Sequence, residues 1–515
     1  VTPSLPAWVE KRDGRREAFD ADKISQSIFA ATEAVGEPNA FLARELADGV
    51  LHFLEQDVGI ETMPAKHIAE LVEKVVRELG QPALAQAYSL RQPSATSPHK
   101  VGRSPVTMTF TTDEPAVEVR YRCSEKYWLH AVFTRDLIAA HESGILDLRD
   151  VTVPALRAMV LEPPPSESMP SWKLAWSQVR NASERAAWLA VDSAECLLAA
   201  HGPEWLEGFL AAIDAYGLFA SFNLRVPSAP AWAGQVADGP LFATANAPQD
   251  SAWSETADAL VEILGRDTND LCSINWHVQA ADFEDSKLRT MLESYWTLRR
   301  KLGRFTLHRP RQPVRFGRGL DREHPAVLLA VGLSLREFLD RPGIDGDGAK
   351  MIAKLPSLAR MAVSAGVQRR TYLRRHHADL CRGFLLERAR VVIEPWDLEE
   401  VIEAITGVPY WKSKLALDVG LQIMQTLQVA AHAASRAVGL EVVVANFQGV
   451  EIDEHFLKPD DLDSAWQAAG SLLENMDGGV VYVQRAEPSL DAVWRHLRHA
   501  WKSSGVSSIS FWVNA

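Results

Sequence analysis

The sequence predicts an α/β protein in two parts: an N-terminal β-hairpin with helices, then a long region where short apolar strands alternate with helices. Three observations predict it. Asp13-Gly14 separates two short strand-like runs, and an Asp-Gly pair favours a hairpin turn because type I′ geometry needs positive φ. The stretch "RQPSATSPHKVGRSP" (Arg91 to Pro105) is rich in Pro and Ser, lacks periodicity and reads as a linker. Beyond it, "VEVRY", "FASFNL", "LCSINW", "EVVVANF", "GGVVYV" and "SSISFWV" read as strands, separated by helical stretches such as "SKLRTMLESYWTLRRKL". That length and alternation suit one large barrel or a doubly wound sheet.

In the first part, Asp20 is placed to cap a helix carrying Ile24, Ile28, Ala31 and Val35, which Gly36 ends. A later helix aligns Ile68, Leu71, Val72, Val75, Val76 and Leu79 and closes at Gly80. These helices are expected to bury against each other and leave the hairpin as a lid. The hairpin sets Lys11 and Arg12 beside its turn and Lys23 in the first turn of the next helix. Together they can neutralise a polyphosphate, with Glu17 accepting from a base or ribose group. The alternative is a solvated basic hairpin with no ligand.

Composition bounds the function. The chain has 515 residues, 47% of them hydrophobic, so a large core can be buried. It holds no run of eighteen apolar residues and opens on no signal-like segment, so a membrane span is not expected. Cys123, Cys196, Cys272 and Cys381 lie far apart with no CxxC pair, which encodes neither a zinc ribbon nor a disulfide framework. The expectation is a cytoplasmic protein with reduced thiols. The net charge of −13 argues against general nucleic-acid binding, while local basic patches can hold small anions.

Residues Val9, Lys11, Arg12, Asp13, Gly14, Arg15, Glu17, Phe19, Asp20, Lys23 and Ile24 resemble the V-x-K-R-D-G-R-x-E-x-F-D-x-x-K-I pattern of the ATP-cone. That is a nucleotide-binding regulatory domain at the N-terminus of ribonucleotide reductases and of a related repressor. The family's closing A-x-A-Y-x-x-R pattern is matched by Ala85, Ala87, Tyr88 and Arg91. The resemblance implies ATP or dATP as allosteric ligand, compatible with Mg2+. It places Lys11, Arg12 and Lys23 near phosphates, and Val9 and Glu17 near the nucleoside. Thr62 and His67 stand where the family uses polar groups before its third helix, at a spacing that does not align neatly. The repressor's zinc ribbon has no counterpart here.

The remainder resembles a shortened ribonucleotide reductase catalytic subunit, which implies a ten-stranded α/β barrel. "AHESGILDLRD" (Ala140 to Asp150) is similar to a segment of the anaerobic enzymes, with Arg149 where the family has His. "DLCSINW" (Asp270 to Trp276) is similar to the N-L-G-S-I-N-L strand, and Ala486 to Val513 to the A-E-P-T helix and the strand after it. "AVGLSLREFL" (Ala330 to Leu339) echoes another barrel helix. The family's radical chemistry needs a cysteine on a loop before the S-I-N strand, further thiols and a radical source. "ANAPQDSAWSETADALVEILGRDTND" has no cysteine. Cys272 falls where the family has Gly, and Asn269 where the aerobic class has its redox cysteine. Phe511 and Trp512 match its tyrosine pair, and phenylalanine has no hydroxyl proton to exchange. Ser489 caps a helix at the family's phosphate seat, or is an ordinary helix cap.

Other motifs read as structural. "QRRTYLRRHH" (Gln368 to His377) reads as a solvated face or partner contact. His376 and His377 make a poor metal pair, and His496 and His499 have no carboxylate helper. "IDGDGAK" (Ile344 to Lys350) reads as a surface turn. The expected organisation is a cone over 1–92, a linker over 93–106 and a barrel over 107–515. The expected function is nucleotide sensing without thiyl-radical chemistry, acting through a homo-oligomer or a reductase-related partner. The alternative is an enzyme acting on nucleotides. No metal site is expected.

Overall fold

A computed structural model of the chain describes residues 5–56, 61–91, 125–149, 151, 156–161, 170–192, 194–225, 258–264, 271–278, 280–284, 286–298, 303–308, 315–317, 319–321, 323–377, 385–453, 459–474, 478–485, 491, 494, 498, 501 and 508–513. The linker, the "VEVRY" strand, Cys123, Cys381, Asn269, Ser489, His496 and His499 lie outside them. The chain divides into two compact units, residues 1–147 with 353–369, and 148–352 with 370–515.

The first unit opens on β1 (Trp8–Glu10) and β2 (Arg16–Ala18), an antiparallel hairpin in which Val9 faces Glu17. β3 (Thr62–Pro64) adds in parallel on the other side of β1, with Thr62 beside Trp8. Helix α1 (Ala21–Val35) starts where the Asp20 carboxylate accepts from the Asp22 N–H, and ends at Gly36 in the left-handed region. Its buried face carries Ile24, Ile28, Phe29 and Ala31. Val35 points to solvent, because it sits in the last turn beyond the reach of the neighbouring helices. Helix α2 (Ala40–Gln56) buries Phe41, Leu46, Val50 and Leu54. Helix α3 (Ala65–Glu78) buries Ile68, Val72, Val75 and Val76, whereas Leu79, at its C-cap, is exposed. Helix α4 (Pro82–Arg91) contacts α1 and α3, and α2 contacts both as well. Helix α5 (Arg135–Glu142) packs against α1 and α2. The unit is completed by residues 353–369 of the helix Gly348–His376.

The second unit is a curled sheet with flanking helices. Strands β5 (Leu156–Val160), β6 (Ala186–Val191), β7 (Phe219–Arg225), β8 (Cys272–His277) and β9 (Gly303–His308) pair in parallel in that order. Strands β12 (Ala326–Ser334), β13 (Ala389–Trp396), β14 (Glu441–Asp453), β15 (Gly478–Arg485) and β16 (Ser508–Val513) form a second parallel run. β16 pairs antiparallel with β9, and β12 antiparallel with β5. The succession of pairings therefore passes through ten strands and returns to β12. β4 (Leu146–Leu148) leads into Arg149, whose N–H donates to Ala330 O, and β10 (Arg315–Gly317) and β11 (Leu320–Asp321) form a small ribbon. Five of the expected strands thus appear within a residue or two, as β7, β8, β14, β15 and β16, except that β14 runs on to Asp453. β12 and β13 are almost wholly buried, as strands covered on both faces must be. Ala158, Val160, Ala190, Val327, Ala330, Val392, Val443 and Ala445 form an apolar cluster among these strands.

One motif departs from its surface reading, and another keeps it. Arg369, within the basic run, is buried, and Arg370 donates to the carbonyls of Val438 and Gly439. The run is thus partly a packing face, since guanidiniums can satisfy carbonyls while their stems bury. In "IDGDGAK" Asp345 and Gly346 take left-handed φ, and Asp347 caps the helix that follows by accepting from the N–H groups of Ala349 and Lys350.

Candidate functional site

The hairpin turn closes through the Lys11 N–H to Arg15 O at 2.8 Å and the Gly14 N–H to Lys11 O at 2.9 Å. Gly14 alone in the turn has positive φ, so the turn differs from the expected type I′, which needs two such residues. Asp13 instead serves as a side-chain acceptor. Its carboxylate takes the Arg15 N–H at 3.1 Å and Nε at 2.6 Å, and these contacts hold the Asp13 pKa below the usual carboxylate range. Arg15 is therefore committed to the turn itself.

Lys11 and Lys23 converge. Both ammonium groups approach Oε2 of Glu17, at 3.2 and 3.1 Å. The hydrogen bond from Lys23, then that from Lys11, holds the Glu17 pKa below its ordinary value. The convergence follows from the chain: β2 sets Glu17 opposite Val9, and the Asp20 cap starts α1 so that Lys23 faces back to the hairpin. Val9 is half-buried and Arg12 exposed beside the turn. Thr62 lies half-buried in β3 next to Trp8, and His67 is exposed in the first turn of α3. The closing pattern is structural: Tyr88 is largely buried on α4, burial raises its pKa, and a hydrogen bond with Ser27 partly offsets that rise.

The second unit carries a polar face that the motif reading passed over. Ser221, Asn223 and Arg225 pair residue for residue with Ser273, Asn275 and His277. Asn223 is the hub: its Oδ1 accepts from Asn275 Nδ2 at 3.3 Å and lies 3.1 Å from His277 Nε2, and its Nδ2 donates to Val191 O at 3.2 Å. The His277 ring stacks on His308 with centroids 5.3 Å apart. The signal was legible as the shared alternation S-x-N-x-R and S-x-N-x-H in two neighbouring strands. Cys272, at the start of the second of these strands, is buried and is not part of a disulfide. Among the described residues no group of three or more His, Cys, Asp or Glu is placed to hold a metal ion, and no helix is long and apolar enough to cross a membrane.

The converging lysines belong to a recognisable module, because the ATP cone domain matches over the hairpin and the helices that support it. Residues 8–92 are an ATP-cone domain. No curated protein matches the sequence. Beyond the cone the likeness is one of fold. The anaerobic ribonucleotide reductase from Thermotoga maritima in complex with dATP and CTP superposes with a TM-score of 0.55 at 10% identity, covering 77% of this chain and 82% of that one. The same enzyme with dATP bound in the specificity site gives 0.56 at 11% identity, covering 77% and 84%. A further anaerobic ribonucleotide reductase gives 0.57 at 10% identity, covering 77% and 80%. The chain thus joins an ATP cone to a ribonucleotide-reductase-like fold.

Proposed function

We propose that this protein is a nucleotide sensor: ATP or dATP binds the cone hairpin, with its phosphates at Lys11, Arg12 and Lys23 and its nucleoside near Val9 and Glu17. The observation that carries the reading is the convergence of Lys11 and Lys23 on one carboxylate oxygen within a matched ATP cone. A site that holds two ammonium groups on a shared anionic partner is already arranged for a polyphosphate. Phosphates take the lysines, and Glu17, released, accepts from the ribose or base. Thr62, on the strand beside β1, is the further polar group in reach of the nucleoside end.

The second unit, in this reading, is a ribonucleotide-reductase-type barrel that no longer performs thiyl-radical reduction. The return of the strand pairing to β12 through two parallel runs supports closure into ten strands. Phe511 supplies no hydroxyl for a tyrosine relay, and Cys272 is buried at the start of β8. Nucleotide binding then acts through self-association or a reductase-related partner. Calorimetry tests the core of this: ATP or dATP binds the wild-type chain, and Lys11→Ala/Lys23→Ala loses binding. Equal binding by that variant, or none by the wild type, overturns the reading.

A further inference from the structure

Asp22 and Lys23 are successive residues of α1, and they serve different partners. Lys23 faces Glu17 at the hairpin. Asp22 faces inward: its Oδ1 accepts from Arg44 Nη1 at 2.8 Å, and its Oδ2 accepts from Ser364 Oγ. Arg44, on α2, is only 4% exposed. A second carboxylate, Asp136 on α5, is 1% exposed, and its Oδ2 stands 3.8 Å from Arg44 Nη2. Asp136 receives one long hydrogen bond, from Ser25 Oγ at 3.5 Å. Asp136 Oδ1 and Arg44 Nε and Nη2 have no hydrogen-bond partner among the described residues.

A buried guanidinium and a buried carboxylate at that separation attract strongly yet satisfy each other poorly. A shift of about one ångström would turn the long contact into a charge-assisted hydrogen bond. Arg44 thus has two carboxylates within reach and is bonded to one. α2, which carries it, is held independently. Asp48 accepts from Ser357 Oγ at 2.6 Å and Arg360 Nε at 2.9 Å, and Glu45 pairs with Lys354 at 2.8 Å. α1, by contrast, meets residues 353–369 through the bond between Asp22 and Ser364.

We infer that Arg44 is a two-position switch that couples the cone's phosphate site to residues 353–369. In the arrangement described, Arg44 and Ser364 both hold Asp22. The inference rests on nucleotide binding at Lys23. Phosphates draw Lys23 off Glu17, the first turn of α1 moves with it, and Asp22 leaves Arg44 and Ser364. Arg44 then closes on Asp136, which compensates the buried charge left behind. The change is a displacement of α1 against a clamped α2, and it frees a segment of a helix whose remaining residues belong to the second unit.

The test uses the full chain, with calorimetry for binding and amide hydrogen exchange for movement, each with and without ATP. In the wild type, ATP raises exchange over residues 361–369 and lowers it around Asp136. Asp136→Asn keeps the shape but removes the second charge; ATP then binds about fivefold weaker or worse, and the exchange change at 361–369 is lost. Ser364→Ala, which removes a small hydroxyl and guards against a folding artefact, shows the raised exchange without nucleotide. ATP binding with unchanged exchange at 361–369, or an Asp136→Asn response equal to wild type, overturns the switch alone. Absence of ATP and dATP binding to the wild type overturns the sensing reading and the switch with it.

Discussion

The Lys23 ammonium lies 3.1 Å from Oε2 of Glu17, and Lys11 shares that oxygen. Glu17 therefore competes with any polyphosphate for the same two cations. Glu17→Gln removes the competitor's charge. Inorganic tripolyphosphate should bind the variant about two- to five-fold tighter than wild type, the scale of an exposed ion pair. Preference for ATP over tripolyphosphate should fall, since the nucleoside loses an acceptor. The pH sign follows from the lowered Glu17 pKa: the lysine contacts are present above the ordinary glutamate value and lost as pH falls through the depressed one. Titrating tripolyphosphate into both proteins by calorimetry checks this, and weaker binding by the variant would show that Glu17 organises the site rather than competing for it.

Asp321 and Arg390 form a buried pair in the second unit, 2.7 Å apart, with His324 Nδ1 3.2 Å from the other Asp321 oxygen. Burial raises the Asp321 pKa, but the His324 hydrogen bond and the Arg390 charge outweigh it, so the net shift is downward. Its stabilising contribution is thus complete above 3.8 and lost as pH falls through the depressed value. Asp321→Asn leaves Arg390 buried beside a neutral group and should cost on the order of 3 kcal/mol at pH 7. Denaturant unfolding at a series of pH values should show the gap from wild type closing in acid.

How much of this was legible in the sequence differs between its parts. The hairpin, α1 and the strands β7, β8, β14, β15 and β16 follow from local signals: a Gly at the turn, an Asp cap, apolar runs bounded by polar residues. β12 does not, since Ala330 to Leu339 read as a helix, whereas the strand runs to Ser334 and only Leu335–Leu339 is helical. The cone residues Lys11, Glu17 and Lys23 are close in sequence, so their convergence follows from the hairpin. Arg44 and Asp136 gave no such signal, because their interaction joins α2 to a helix some ninety residues away. An Arg in "FLARELADGV" reads as an exposed charge until its partner is placed. The antiparallel joins of β16 to β9 and β12 to β5 are likewise long-range, and periodicity within one strand carries no information about its neighbour.

Gly332 in β12 lies against Trp396 of the adjacent strand. A Cβ on Gly332 would fall 2.2 Å from an indole carbon, well inside contact distance. The indole has little freedom to yield, since the Arg149 guanidinium sits 4.5 Å from its centroid on the way to Glu394. Gly332→Ala should therefore destabilise the second unit by at least 1–3 kcal/mol, the usual range for overpacking, with about 3 kcal/mol expected here. Gly332→Ala combined with Trp396→Leu should recover part of that loss. Tryptophan fluorescence during urea unfolding measures both, and a single variant as stable as wild type would show that the ring can move aside.

Tyr410 offers the opposite expectation. It is buried next to Trp411, edge to face at 4.8 Å, and its hydroxyl has no hydrogen-bond partner among the described residues. Burial, then the nearby Glu399 charge, raises its pKa well above the ordinary tyrosine value, so it stays neutral and contributes no charge. A buried hydroxyl without a partner costs about 1–3 kcal/mol relative to water, whereas the ring's apolar contacts survive its removal. Tyr410→Phe should therefore be neutral or stabilising, by about 1 kcal/mol, where a tyrosine replaced in a core usually loses stability. Thermal and urea unfolding should both report it. A loss of more than 1 kcal/mol would mean that the hydroxyl is bonded after all, to a buried water or to one of the residues outside those described.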